Sequence, residues 1–318
     1  MADELPRDYR TAGAGRISLS QTTRSVIRDA RRIQYFLSEI AEEETEFLPR
    51  LNIGQASLKD SPGDAARTER ARLGVTFETQ GSWELSNSFE EWRQRVHNLG
   101  VAVLLERMPW NDCRGLSLWD DHSVPVVVVN SEDRVAARSF TLFHEYGHLV
   151  LRKAGVCLAE PSQTLKGQIE RWCNAFSASL LVPAGDLTRL IDQTYVGMSD
   201  IDWEMKHVQR LSAKFRVSRY VLARRLKELE ITNFYDRHIA ELRRFDKRPD
   251  RKKTASGGVR PEVKRLSEVG TGVALVVLDA WKGRMVDAGE IADVLGLKSD
   301  QLAGFEEGAA ARRRRRTA

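Results

Sequence analysis

The sequence predicts an α+β fold: helical segments, then a small sheet of three short strands, then helices to the end. Three observations carry this. Apolar residues recur at helical spacing from about Gln21 to Phe47, through Val26, Ile27, Ile33, Phe36, Leu37 and Ile40. Between Val101 and Val129 the texture turns β-rich and is cut by turn residues. After Asn130 the helical period returns and persists.

The elements follow in order. Ser61 before Pro62 reads as a helix start with proline at the first helical position, and that helix ends by Gly74. A further helix spans about Phe89–Leu99 and stops at Gly100. The three strands are Val101–Leu105, Arg114–Trp119 and Val124–Val129. Helices are then expected over about Asp133–Lys153 and Gly167–Leu181, the second halting before Pro183. From Val208 onward the pattern is helical apart from the polar stretch Asp246–Gly258.

A chain of 318 residues suggests more than one domain. The expected division is a disordered N-terminus at 1–20 and an α+β domain at 21–200. A helix-turn-helix-like helical module follows at 201–244, then a linker or flexible loop at 245–260. A C-terminal helical module at 261–308 and an Arg-rich tail at 309–318 complete it. No apolar run reaches the ~18 residues that cross a bilayer. Three scattered cysteines make no disulfide framework. The polar N-terminus is unlike a secretory signal. A cytoplasmic location with no membrane partner is expected.

Chemistry concentrates at residues 144–148, His-Glu-Tyr-Gly-His. On a helix, His144 and His148 share a face and can offer imidazole nitrogens to one metal. Glu145 borders that face, placed to take a proton from an attacking water. Flanking apolar residues (Phe140, Leu142, Phe143, Leu149, Val150, Leu151) predict a buried helix. Two histidines and a glutamate buried there without a metal would be costly. The expected ion is Zn2+, although two histidines and a carboxylate suit other divalent transition metals.

Two histidines leave a zinc site short of one protein ligand. Downstream candidates are Cys157, Glu160, Glu170 and Cys173. Glu170 is preferred, because the stripe Ile169, Trp172, Cys173, Phe176 and Leu180 turns its helix inward. Cys173 as a thiolate is the runner-up. Asn174, four residues after Glu170, is expected to support a ligand by hydrogen bonding.

Val129-Asn130, FTLFHEYGHLVL and ERWCNAFSASLLVP together resemble the ImmA/IrrE family of metallo-endopeptidases. VAVLLERMPWNDCRG from Val101 is similar to the family's strand-loop-strand. The resemblance covers about residues 60–300, with the two helical motifs its specific part. It implies a zincin-like peptidase domain with Glu170 as third ligand. It also implies cleavage of a helix-turn-helix repressor, in a stress response or a mobile genetic element. Tyr146 departs from the family pattern, which has leucine there. No helix-turn-helix is legible in residues 1–60. For the oxyanion, His207, His238, Tyr146 and Tyr195 are the candidates.

A second feature lies at Lys206–Lys227, with eight basic residues and no acid. Val208, Leu211 and Phe215 mark one short helix, Ser218 a cap, and Val221, Leu222 and Leu226 the next, at helix-turn-helix spacing. Arg219, Tyr220, Arg224 and Lys227 would then contact nucleic acid or a protein partner. This supplies the alternative reading, a DNA-binding regulator with an idle or structural zinc site. A weaker similar pattern at Ala288–Leu302 reads as a packing hairpin. The net charge of +5 equals the five arginines Arg312–Arg316, so the pI of about 9.1 reflects local basic features, not a globally basic protein.

Overall fold

The computed structural model describes residues 19–44, 46–153, 165–246 and 258–317. Four helices open the chain: α1 (Gln21–Glu43), α2 (Pro62–Arg72), α3 (Phe77–Ser82) and α4 (Ser88–His97). Three strands follow, β1 (Ala102–Glu106), β2 (Gly115–Leu118) and β3 (Val126–Asn130). Then come α5 (Val135–Val150), α6 (Leu165–Leu181), α7 (Ala184–Thr194), α8 (Met205–Lys214) and α9 (Arg219–Glu228). The last are α10 (Phe234–Asp246), α11 (Pro261–Lys282), α12 (Ala288–Leu295) and α13 (Leu302–Thr317).

Local chemistry explains the starts. Ser61 Oγ accepts from Asp64 N and Ser218 Oγ from Val221 N, so both expected serine caps are made. Asp287 caps α12 through Gly289 N and Glu290 N, and Gly296 ends that helix in the left-handed region at φ 63°.

The sheet order is β1-β3-β2, with β1 parallel to β3 and β2 antiparallel to it. Both faces are covered, so the strands are buried throughout. Val103, Leu105, Val127 and Val129 point into one core, shared with α2 and α4 to α10. Ala102, Leu104, Leu116, Leu118, Val126 and Val128 point into a second, shared with α1 and α11 to α13. The segment expected as a helix-turn-helix-like module thus packs on the first core, and the C-terminal helices share the second with α1.

A buried arginine joins the layers. Gly270 breaks the α11 ladder at φ 78°, ψ 161°. The Arg93 guanidinium fills the break, donating to the carbonyls of Val103, Ser267 and Glu268. A Cβ on Gly270 would lie 2.4 Å from Arg93 Cζ.

Two expectations need amendment. Arg312–Arg316, expected as part of an Arg-rich tail beyond the last helical module, continue α13; the alanine run before them favours helix. Helices α3 and α7 went unmarked in the sequence reading. The expected N-terminal segment lies outside the described residues except for 19–20, and residues 247–257 of the expected linker lie outside them as well. Among the described residues no helix is long and apolar enough to cross a membrane.

Candidate metal centre

Helices α5 and α6 bring the chemistry together because they approach closely. At their crossing Gly147 faces Cys173 and Phe176, and a Cβ on Gly147 would lie 3.3 Å from Cys173 Sγ. Two small residues therefore set the spacing. Burial pushes the Cys173 thiol well above its ordinary value, reinforced by Glu170 and Glu145. The thiol stays protonated and Cys173 packs as a small apolar group, apart from the ligand cluster. Cys157 and Glu160 lie outside the described residues.

His144, His148 and Glu170 are buried, and one donor atom from each lies within 4.8 Å of the others. His144 Nε2 is 3.2 Å from Glu170 Oε2 and 3.3 Å from His148 Nε2, which is 3.7 Å from Glu170 Oε1. A tetrahedral zinc bound at about 2.0–2.1 Å needs ligand separations of roughly 3.3–3.4 Å. The backs of both rings are anchored. His144 Nδ1 donates to Asn174 Oδ1 at 3.1 Å and His148 Nδ1 to Lys153 O at 3.2 Å. Both acceptors are oxygens, so in the neutral rings each Nε2 keeps its lone pair facing inward. Two lone pairs and a carboxylate converging on one point repel one another, and a cation at that point resolves the repulsion. The residues fit a divalent metal, and Asn174 is hydrogen-bonded to His144.

Burial disfavours charge on His144. The hydrogen bond to Glu170, the Glu145 and Glu170 charges and Asn174 outweigh it, holding the ring above its ordinary value. Glu145 is 1% exposed, on the next residue of the same helix. Edge strand β2 passes close by: a Cβ on Gly115 would lie 2.6 Å from Thr141 Cγ2 and 3.0 Å from Glu145 Cγ. Only glycine lets the strand run past the glutamate at this distance.

A cleft of about 400 Å³ opens onto the centre, lined by His144, Glu145, Glu170 and Asn174. One wall is the loop from Trp110 to Arg114. The buried Asn130 side chain braces that loop. It donates to Met108 O and Cys113 O, while its Oδ1 accepts from Met108 N and Glu132 N. Arg114 stacks on Trp110 at 3.8 Å and pairs with Asp133 at 2.6 Å. The facing wall is the start of α9, with Ser218, Tyr220, Val221 and Arg224.

Tyr220 and Arg224, singled out in the sequence as nucleic-acid or partner contacts, thus line the cleft. Tyr220 Oη is hydrogen-bonded to Tyr235 Oη at 2.8 Å, and Arg224 Nε donates to Glu228 at 3.0 Å. Lys227 lies outside the lining and pairs with Asp236 at 2.6 Å; Arg219 is half-buried one residue before Tyr220. None of the oxyanion candidates lines the cleft. Tyr146 faces Glu69, His207 packs on Tyr195 and Trp203, and His238 stacks on Phe234. Sequence reading missed Gly115, Trp110, Arg114 and Asp133. Gly115 alone left a signal, as a glycine inside a strand pattern.

The histidine-bearing helix, the glutamate helix and the sheet agree with a comparison against known families. No curated protein matches the chain. Residues 96–227 match the M78 peptidase family, described as the IrrE N-terminal-like domain. Over residues 96–227 the chain is therefore similar to this metallopeptidase family.

Proposed function

We propose that the protein is a zinc-dependent endopeptidase, with His144, His148 and Glu170 as ligands and Glu145 as general base. The observation that carries this is the convergence of the three donors, two of which, His144 and Glu170, line a cleft together with Glu145. A bound zinc supplies Lewis-acid polarisation of the scissile carbonyl. Glu145 takes the proton of the attacking water on its carboxylate and returns it to the leaving amine. Asn174 and the Lys153 carbonyl hold the two rings in the tautomer that points Nε2 inward. The tightly packed β2 and α5 fix Glu145 against lateral movement.

The substrate reading is a helix-turn-helix repressor met in the cytoplasm, cut in a stress response or during activation of a mobile element. The cleft of about 400 Å³, lined by the Trp110–Arg114 loop and the start of α9, is the proposed place for the substrate chain. Incubating the metal-loaded protein with a repressor encoded beside it, followed by mass spectrometry, tests this. One discrete cut is expected, absent in Glu145→Gln, which keeps about one equivalent of zinc. Full cleavage by Glu145→Gln would overturn the assignment of the base.

DNA binding through Lys206–Lys227 is the alternative. The side-chain partners support substrate contact instead: Tyr220 and Arg224 wall the cleft, and Lys227 is paired with α10. Charge reversal at Arg219 and Arg224 is expected to leave affinity for operator DNA unchanged at fixed salt.

A further inference from the structure

We infer that the outer face of α1 is a self-complementary surface that pairs antiparallel with α1 of a second copy of this chain. The helix buries Val26, Ile27, Ala30, Ile33, Phe36, Leu37 and Ile40 against the second core. Its outward stripe is Arg24, Arg28, Arg32, Tyr35, Glu39 and Glu42, all exposed, at spacings of three or four residues.

The charges on this stripe are segregated. Arg24, Arg28, Arg31 and Arg32 occupy the N-terminal half, where Asp29 is the one acid and pairs with Arg32 at 3.1 Å. Glu39, Glu42 and Glu43 occupy the C-terminal half, which has no basic residue. Among the described residues Arg24, Arg28, Glu39 and Glu42 make no ion pair.

This order works against the helix that carries it. The positive end of a helix dipole favours acids and the negative end favours bases. Here the first turn has no acid and the last turn no base. Arg24 and Arg28, Arg28 and Arg32, and Glu39 and Glu43 are also like charges four apart, which repel on a helix. A solvated face selected for stability would mix the signs. Its rival use is recognition.

A second α1 laid antiparallel resolves both conflicts. Arg24 then faces Glu42 of the other copy, Arg28 faces Glu39, and Arg32 faces Tyr35. The two-fold axis repeats each pair. A parallel arrangement would set arginine against arginine. Tyr35 is 58% exposed, a large aromatic beside the axis, with an arginine of the other copy placed over its ring. The contact is polar, so it weakens with salt.

The test is sedimentation of the full chain at about 50 µM, in about 50 mM and about 500 mM salt. Three proteins are compared: the parent, Arg24→Glu/Arg28→Glu, and Glu39→Arg/Glu42→Arg. The parent is expected to be a dimer at low salt, with its dissociation constant raised at least about tenfold at high salt. Each double variant is expected to be monomeric, because its α1 stripe carries mainly one sign. Mixing the two variants should restore a dimer of one copy of each. Both changes relieve clashes with the dipole, so thermal midpoints should not fall, which separates lost pairing from lost folding. A monomeric parent at low salt, a dimer that survives in both variants, or a mixture that stays monomeric would each overturn the inference.

Discussion

Tyr146 Oη donates to Glu69 Oε2 at 2.6 Å, tying the histidine-bearing helix to α2 from beneath. Both side chains are buried, at 0% and 2% exposure. The other Glu69 oxygen accepts from Gly54 N at 2.9 Å and meets Arg72 Nε at 3.1 Å. A tyrosine at this position therefore satisfies a carboxylate that would otherwise be under-bonded in the core. Tyr146→Phe should cost about 1–3 kcal/mol in urea unfolding, with zinc content unchanged. Glu69→Gln in the phenylalanine background should recover part of that loss.

Gly115 is expected to matter more for catalysis than for stability. Gly115→Ala places a Cβ within 3.0 Å of Thr141 Cγ2, so strand and helix must separate near Glu145. A stability loss of about 1–3 kcal/mol is expected from overpacking. Peptide cleavage should fall by more than about tenfold, as expected when the proposed base Glu145 is displaced. Thr141→Ser, which removes the clashing methyl, should return much of the rate.

Gly270 is strained for any other residue. Its φ of 78° with ψ 161° lies in a region that essentially only glycine enters. Gly270→Ala should cost about 1–3 kcal/mol from the backbone alone. Displacement of Arg93 from the carbonyls of Ser267 and Glu268 would add to it. Thermal unfolding of the variant measures the sum.

The cleft wall should have an alkaline signature. Burial, with the Tyr220 hydrogen bond, pushes Tyr235 from 10.0 to about 12. The unfolded chain releases that proton first, so stability falls as pH rises through this window. Below about pH 10 the contribution is intact. Tyr235→Phe should show a shallower loss between about pH 10 and pH 12 in urea midpoints.

Local signals carried much of this from sequence. The HEYGH spacing and the inward stripe around Glu170 named three residues that the structure brings together. Ser61 and Ser218 marked helix starts by chemistry that acts within a few residues. The strands were legible because burial on both faces leaves an unbroken apolar run, as in Val126–Val129. What depends on long-range packing stayed hidden. The sheet order places β3 between β1 and β2, and no local pattern encodes that. Arg93 reads as a surface base until Gly270 arrives from far along the chain. The oxyanion candidates were chosen by residue type, yet Tyr146, Tyr195, His207 and His238 all serve packing. Helix α3 is too short for an apolar stripe, whereas α7 carries one in Leu187, Leu190 and Ile191 that the reading passed over.

The sheet with a core on each face has a practical meaning for where the protein can be cut. Residues 96–227 hold the ligand helices, yet Ala102, Leu104, Val126 and Val128 rest on α1 and α11. A fragment trimmed to the peptidase motif would turn a greasy wall to water. The folded unit is thus larger than its signature, with α1 and α11 to α13 part of its hydrophobic insulation.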